Sequence, residues 1–263
     1  MQRFASGAKR NYYGKGDVIA YRLAPGFFGA SVMMLLYGDA FWPTYTTGDN
    51  TGLVATDSMK NFIQRETANF AGFDLEPYCR FLAEKFLAKY PQTEGIQVAA
   101  TEVPYAWIGG EGYVPAGPER AMASIEMLQG GGIVEQRSGV HGFKLLRLGG
   151  SAFTGFVRDE YTTLPDVTHR PLHMWLDLEW LGAGDEPLAA KVRALVRGVF
   201  LSFESGSIQQ IIYKVGAKIL ADLPPVTEVR LEANNRTWDN VADHVYTDAR
   251  PPFGCLGLTL KRE

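Results

Sequence analysis

The sequence predicts an α+β fold in which one ββααββ unit occurs twice. Helical runs come in consecutive pairs, two strand-like segments precede and two follow each pair, and several strands alternate apolar with polar residues. Such alternation is typical of an antiparallel sheet that carries helices on one face. The run Gly130–Gly132 lies near the midpoint of the chain. We therefore expect a first repeat over residues 1–131 and a second over residues 132–263.

The first half contains the first helix pair. One helix is expected to begin at Thr56 and the next at Asp74, because short oxygen-bearing side chains there can cap exposed backbone amides. The run 74–90 carries apolar residues at three- and four-residue steps, and Pro91 ends it. Four strand-like segments flank this pair, at residues 17–23, 31–37, 95–103 and 120–129.

The second half repeats this arrangement. Pro187 opens one helical run and Ser207 opens the next, and each run has a stripe of aliphatic residues on one face. Every second residue from Met174 to Trp180 is apolar, so one face of that strand is expected to lie in the core. Four strand-like segments flank the pair, at residues 142–148, 171–181, 226–233 and 255–261.

Composition excludes several classes of protein. The 263 residues are 46% apolar and 21% charged with a net charge of −3, a balance that attracts neither nucleic acid nor a membrane surface. Cys79 and Cys255 are too few and too far apart for a disulfide framework or a CxxC metal pair. No apolar stretch approaches the roughly 20 residues that span a bilayer. The start lacks a secretory core and the end is not an SKL-type address, so we expect a soluble cytoplasmic protein.

Generic catalytic motifs are absent, but five segments together resemble one family. The chain has no GxGxxG, GxxxxGK[ST] or GxSxG sequence. The segment Phe153–Leu164, FTGFVRDEYTTL, closely resembles the signature of the urate oxidase (uricase) family. Four further segments resemble family motifs in the same order, at residues 13–15, 49–61, 207–214 and 252–261. The resemblance covers nearly the whole chain.

The resemblance implies a fold, an activity and an assembly. The family fold is a tandem T-fold, which is the duplicated ββααββ unit predicted above. Its members are oxidoreductases that convert urate, O₂ and water to 5-hydroxyisourate and H₂O₂ without metal or organic cofactor. Their sites lie between subunits of a tunnel-shaped homotetramer. The four histidines of this chain form no convincing metal-ligand set, so no metal is expected; they are His141, His169, His173 and His244.

The resemblance also implies a substrate site. Urate is a planar anion, so its site needs a flat surface, a fork of donors and an amide that both donates and accepts. By the family pattern Phe153 stacks on the purine, Arg170 pairs with one carbonyl and ring nitrogen, and Gln209 bonds the adjoining edge. Leu164 and Ile208 form the walls. Without the family pattern, a core Phe153, a surface-paired Arg170 and a solvated Gln209 are the ordinary interpretations.

Four further residues match the reacting side of the family site. Lys15 and Thr56 come from a neighbouring subunit and form a proton relay, with Asp57 beside them, and Asn235 holds O₂ or water above the ring. A buried lysine shifts its proton affinity readily, so it can drive a threonine hydroxyl. The ordinary alternatives are a solvated lysine, a helix-capping threonine and a loop asparagine.

The chain departs from the family after Asn235. The family motif reads Asn-x-His, and its histidine completes the relay, whereas residues 235–237 read Asn-Arg-Thr. Threonine has no side-chain pKa near neutrality, so the relay would run through Lys15, Thr56 and water with Thr237 in the histidine's place. His169 is a conceivable substitute. The favoured hypothesis is therefore a cofactor-independent oxidase of urate or a closely related purine. Two alternatives stay open: a purine-binding protein with altered or lost catalysis, and a zinc-dependent pterin or purine enzyme, which would need a His/Cys cluster.

Overall fold

The computed structural model describes residues 11–182, 186–248 and 251–263. Backbone contacts divide the chain into two compact units, Met1–Ser138 with Ala183–Pro187 and Gly139–Gly182 with Leu188–Glu263. Each unit has two strands, then helices, then two strands of the main sheet with a short two-stranded ribbon between them, so the α+β prediction is confirmed. The repeat boundary at residue 131 stays a prediction.

The first unit contains a four-stranded antiparallel arrangement in the order β1-β2-β3-β6. Its strands are β1 (Tyr13–Arg22), β2 (Phe28–Tyr37), β3 (Gly95–Glu102), β4 (Tyr105–Gly109), β5 (Gly112–Pro115) and β6 (Arg120–Leu128). Its helices are α1 (Trp42–Thr46), α2 (Thr56–Thr67) and α3 (Leu75–Lys89). The short strands β4 and β5 pair only with each other among the described residues.

The second unit has the equivalent order β7-β8-β9-β12. Its strands are β7 (Ile133–Phe153), which enters this unit at Gly139, β8 (Val167–Gly182), β9 (Val226–Asn235), β10 (Asp239–Ala242), β11 (Val245–Thr247) and β12 (Cys255–Lys261). Its helices are α4 (Ala189–Leu201) and α5 (Ile208–Asp222). Strands β8, β9 and β12 pair antiparallel, and β10 pairs with β11.

Each unit has its own core between its helices and one face of its strands. In the second unit Met174 and Leu176 of β8 and Ile212 of α5 belong to one buried cluster. The outward residues Asp177 and Glu179 of the same strand alternate with them. Burying one such aliphatic side chain contributes about 1.5–3 kcal/mol. The alternation read from the sequence therefore identifies the core face of β8 correctly.

The structure differs from the predictions at the helix starts and in two hairpins. Ala55 and Asp74 precede α2 and α3, and neither helix start has a side-chain cap, so the caps predicted at Thr56 and Asp74 are wrong. Ser207 does cap α5, accepting from the Gln210 amide at 3.1 Å. The ribbons β4–β5 and β10–β11 were not predicted, because their strands are short and exposed on both faces.

None of the helices in the described ranges combines the length and the apolar character needed to cross a bilayer.

Candidate active site

A cavity of about 230 Å³ lies in the second unit, lined by the ends of β7 and β9, by β8 and by the start of α5. Drug-sized ligands usually occupy clefts of about 300–1,000 Å³, so this cavity suits a smaller molecule. It brings together six residues that the sequence resemblance selected: Phe153, Leu164, Arg170, Ile208, Gln209 and Asn235.

Two backbone bonds hold the end of β7 against the segment before α5. The Ala152 amide donates to the Ser205 carbonyl at 2.8 Å, and the Ser205 amide donates to the Gly150 carbonyl at 2.9 Å. Phe153 follows the first of these bonds, and Ser207 begins α5 two residues after Ser205. The bonds therefore fix the spacing between the aromatic wall and the helix start.

Arg147 is a structural residue that sequence reasoning missed. Its buried guanidinium donates to the carbonyls of Phe200 at 3.1 Å and Phe203 at 2.8 Å, and to the Ser205 hydroxyl. These bonds satisfy carbonyls at the end of α4 and hold the loop into α5. The signal was present, because Arg147 follows Leu145 on the inward face of β7, where a charged residue needs buried partners.

The start of α5 contributes one wall and an electrostatic preference. Ile208 is buried and Gln209 is exposed, and both line the cavity with Ser207. The first amides of a helix lack intrahelical partners and carry partial positive charge. This end of the cavity therefore favours an anion.

Arg170 adds a cation to the cavity, and one of its N–H groups lacks a hydrogen-bond acceptor among the described residues. Its Nε atom is buried and makes no hydrogen bond within the described residues. Burial lowers the pKa of the guanidinium from its ordinary value, because an apolar environment disfavours the charged form. Arginine nevertheless stays charged in proteins. A ligand with an anionic edge would supply the hydrogen-bond acceptor that the described residues do not supply.

Phe153 offers a flat surface with a fixed orientation. Its ring stacks on Phe156, with centroids 5.0 Å apart and 13° between the planes. Such an offset pair restrains both rings. Leu164 lies at the cavity edge with 43% of its surface exposed.

Asn235 is held in one orientation by its neighbours. Its backbone N–H donates to the Gly254 carbonyl at 2.9 Å, and its side-chain oxygen accepts from the backbone N–H of Thr237 at 2.9 Å. The side-chain oxygen is therefore occupied and the NH₂ group is left to donate. The Thr237 hydroxyl is buried without a hydrogen-bond partner in the described chain, and Thr237 does not line the cavity.

Among the described residues, no histidine lines the cavity. His169 is exposed, accepts from the Gly150 amide at 3.3 Å through Nδ1, and is not part of the lining. His244 is exposed in the turn between β10 and β11. In the described ranges, no group of three or more His, Cys, Asp or Glu side chains is arranged to hold a metal ion.

The remaining site residues lie in the first unit. Lys15 is half-buried on β1, Thr56 is the first residue of α2, and Asp57 follows it in an exposed position. The Asp57 carboxylate accepts from Lys60 at 2.6 Å and from Asn61 at 2.9 Å. The pKa of Asp57 lies below its ordinary value, chiefly because of the Lys60 hydrogen bond, with a smaller contribution from the charge of Lys15. Lys15 is therefore within electrostatic range of the first turn of α2.

Known proteins resemble the chain in sequence and in fold. The family model for uricase matches residues 136–254. The uricase of Haloferax volcanii is 37% identical over 247 residues, covering 84% of this chain and 80% of that protein. The uric acid degradation bifunctional protein of Bacillus sp. TB-90 is 34% identical over 302 residues, covering 96% of this chain and 60% of that protein.

Solved structures extend the comparison to the fold. A hyperthermostable mutant of Bacillus sp. TB-90 urate oxidase has a TM-score of 0.88 at 34% identity, covering 97% of this chain and all of that one. A uricase from Bacillus fastidious has a TM-score of 0.86 at 35% identity, covering 97% and 94%. The chain spans about three fifths of the length of two bifunctional relatives, from Bacillus sp. TB-90 and Bacillus subtilis.

The chain is an α+β protein of two ββααββ units. One unit has a small cavity that combines an aromatic ring, a half-buried arginine and a helix start, and this combination suits a small flat anion. The similarity to the Haloferax volcanii protein extends over four fifths of that relative's length. The chain belongs to the uricase family, and the resemblance found in the motifs is confirmed.

Proposed function

We propose that this protein is a cofactor-independent urate oxidase. Urate, O₂ and water give 5-hydroxyisourate and H₂O₂: the ring loses two electrons and two protons, O₂ receives both, and water adds to the oxidised ring. The observation that carries the proposal is the single cavity lined by the six matched residues, which come from separate parts of the sequence. Family membership supports the same chemistry.

Substrate recognition is assigned to three side chains of that cavity. The Arg170 guanidinium pairs with a carbonyl and a ring nitrogen at one corner of the purine, where its buried Nε needs an acceptor. Gln209 bonds the adjoining NH and carbonyl from the first turn of α5. Phe153 lies against the ring, and the apolar Leu164 and Ile208 exclude water at the edges.

Proton transfer is assigned to Lys15 and Thr56, with Asp57 beside them. A neutral lysine can accept a proton from a threonine hydroxyl. The threonine can then accept a proton from the substrate or from a water. Asn235 can donate to O₂ or water through its NH₂ group, since the Thr237 amide occupies its oxygen. Thr237 stands where the family pattern has histidine, and because its buried hydroxyl lies outside the cavity lining, we infer that it reaches the relay through a water.

The proposed assembly accounts for the division of these residues between the two units. We infer a homotetramer in which Lys15 and Thr56 of one subunit complete a cavity that contains Arg170 and Gln209 of another. We also infer that the enzyme acts in the cytoplasm, with urate and O₂ as its partners and without nucleic acid or membrane.

The test is to incubate the purified protein with urate while recording O₂ uptake and H₂O₂ release. We expect one H₂O₂ for each O₂ consumed, and no loss of rate after treatment with a metal chelator. Xanthine, methylated purines and 8-oxo purines, assayed in parallel, would define the substrate. Urate binding without O₂ uptake would contradict the proposal and would instead indicate a purine-binding protein that has lost catalysis.

A further inference from the structure

Tyr13 joins the two segments that carry the proposed relay residues. Its hydroxyl oxygen accepts a hydrogen bond from the Val54 amide at 3.0 Å, across 41 positions of sequence. Tyr13 precedes Lys15 by two residues on β1, and Val54 precedes Thr56 by two residues at the start of α2. One side-chain bond therefore connects the strand of Lys15 to the backbone that leads into Thr56.

Contacts around Tyr13 restrict where its hydroxyl can lie. Its ring meets Phe41 edge-on, with centroids 5.0 Å apart. The next residue, Gly14, pairs with Leu35 of β2, and a Cβ on Gly14 would overlap the Met34 carbonyl oxygen. Strand β1 is therefore held closely against β2 at this point, and the ring is held from the side.

The segment that receives the bond, residues 49–54, is shaped by turn hydrogen bonds and by the Gln92 side chain, which donates to the Gly52 carbonyl at 3.4 Å. The Leu53 amide donates to the Asn50 carbonyl at 3.0 Å, and the Thr51 amide donates to the Asp49 carboxylate at 2.9 Å. These bonds shape the turn but do not set its distance from β1. The Tyr13 bond ties the segment directly to β1, and it also satisfies the backbone amide of Val54, whose side chain is buried in the core of the first unit.

We propose that Tyr13 is a positioning residue for the Lys15–Thr56 pair, because its hydroxyl fixes the start of α2 relative to the strand that carries Lys15. This inference rests on the proposed function for its meaning in catalysis, whereas the geometry stands without it. Tyr13 itself is not assigned any contact with substrate.

The Tyr13 bond persists across the working range of an enzyme. Burial raises the pKa of Tyr13 to about 12, with a smaller opposing contribution from the Val54 hydrogen bond. The hydroxyl is therefore neutral near pH 7, and its role does not depend on titration.

The test is Tyr13→Phe, which keeps the ring and removes the acceptor. A small displacement of a catalytic group can cost up to about 100-fold in rate, so we expect kcat on urate to fall about 10-fold or more while KM changes less than about twofold. Amide hydrogen exchange at Val54 should accelerate in the same variant.

Tyr78→Phe is the matched control. Tyr78 is a fully buried tyrosine of the first unit, and its hydroxyl bonds to that of Thr67 at 2.7 Å, at the opposite end of α2 from Thr56. We expect it to lower thermal stability but to leave kcat and Val54 exchange near wild type. Equal kcat losses in the two variants, or a wild-type kcat in Tyr13→Phe, would overturn the inference.

These experiments distinguish a failure of the proposed function from a failure of the Tyr13 inference. If the wild-type protein does not oxidise urate, the function is wrong, and the positioning claim is then decided by Val54 exchange and by the rate at which an amine reagent labels Lys15. Both must change in Tyr13→Phe and stay unchanged in Tyr78→Phe for the inference to hold.

Discussion

At the scale of single residues, we expect Arg170 to determine ligand affinity more directly than the proposed relay residues do. Hydrogen bonds to a charged group contribute about 1.5–3 kcal/mol, so Arg170→Ala should weaken binding of an inert purine analogue roughly 10- to 150-fold. Calorimetry measures this directly. Arg230→Ala is the control, because Arg230 pairs with Glu228 on β9 away from the cavity lining. Equal affinity in the Arg170 variant and wild type would contradict the substrate assignment.

A variant of Thr237 tests whether its hydroxyl takes part in the proposed relay at the position where the family pattern has histidine. Thr237→Val keeps the shape and the backbone amide that holds Asn235, and removes only the buried hydroxyl. Losing one neutral hydrogen bond to a relay water is expected to lower kcat about 3- to 10-fold with little change in KM. Steady-state kinetics on urate gives the result. An unchanged kcat would mean that the relay does not include this hydroxyl.

At the scale of elements, Gly14 sets the contact between β1 and β2. A Cβ atom added to Gly14 would lie 2.8 Å from the Leu35 Cα and would overlap the Met34 carbonyl oxygen. Overpacking of this kind typically costs about 1–3 kcal/mol or more, so Gly14→Ala should lower the melting temperature by several degrees or prevent folding. Gly16→Ala is the control on the same strand, since its nearest neighbour, Met33, lies 4.0 Å away. Thermal melts that are identical for the two variants would show that β1 can move away.

A histidine–glutamate pair links strands β7 and β8, and we expect it to make the free energy of unfolding depend on pH. The His141 Nε2 lies 3.2 Å from the Glu179 carboxylate. This hydrogen bond raises the pKa of His141 above its ordinary value; burial opposes the rise, and the charges of Asp177, Glu179 and Glu232 add to it. Because the folded pKa is raised, the stabilisation is complete below the unfolded pKa, about 6.5, and is lost as pH rises through the folded pKa.

The pH prediction is tested by melting wild type and His141→Gln at a series of pH values. The difference in melting temperature should be largest below about pH 6.5 and should shrink as pH rises. His244→Gln is the control, because His244 is exposed and its Asp243 pair is equally exposed. A difference that grows with pH would contradict the sign of the shift.

At the scale of the whole molecule, the proposed homotetramer makes a prediction about mixtures. Lys15→Met and Arg170→Ala should each be nearly inactive alone. If each site takes Lys15 from one subunit and Arg170 from another, random co-assembly of equal amounts restores about a quarter of the sites. Activity of the co-expressed variants measures this, and light scattering should give a mass near four chains of 29.0 kDa. A fully active monomer, or no recovery in mixed tetramers, would rule out shared sites.

The sequence by itself determined the elements and the family. Helical stripes and strand alternation identified α3, α5 and β8 because both patterns are local consequences of having one face in a core. The short ribbons were missed because strands exposed on both faces carry no such pattern. The motif resemblance selected six residues that line the cavity, whereas four others that it selected do not line it: Lys15, Thr56, Asp57 and Thr237.

Only the tertiary structure decided which polar groups meet. The bonds of Arg147 to Phe203 and Ser205, and of Tyr13 to Val54, join residues more than 40 positions apart. The missing partner of the Arg170 Nε is likewise a property of the packed environment. Such pairings depend on how strands and helices pack in three dimensions, and they leave no periodic trace in the chain. The sequence therefore predicted the residues of the site, and packing determined which of them line the cavity and which polar groups already have hydrogen-bond partners.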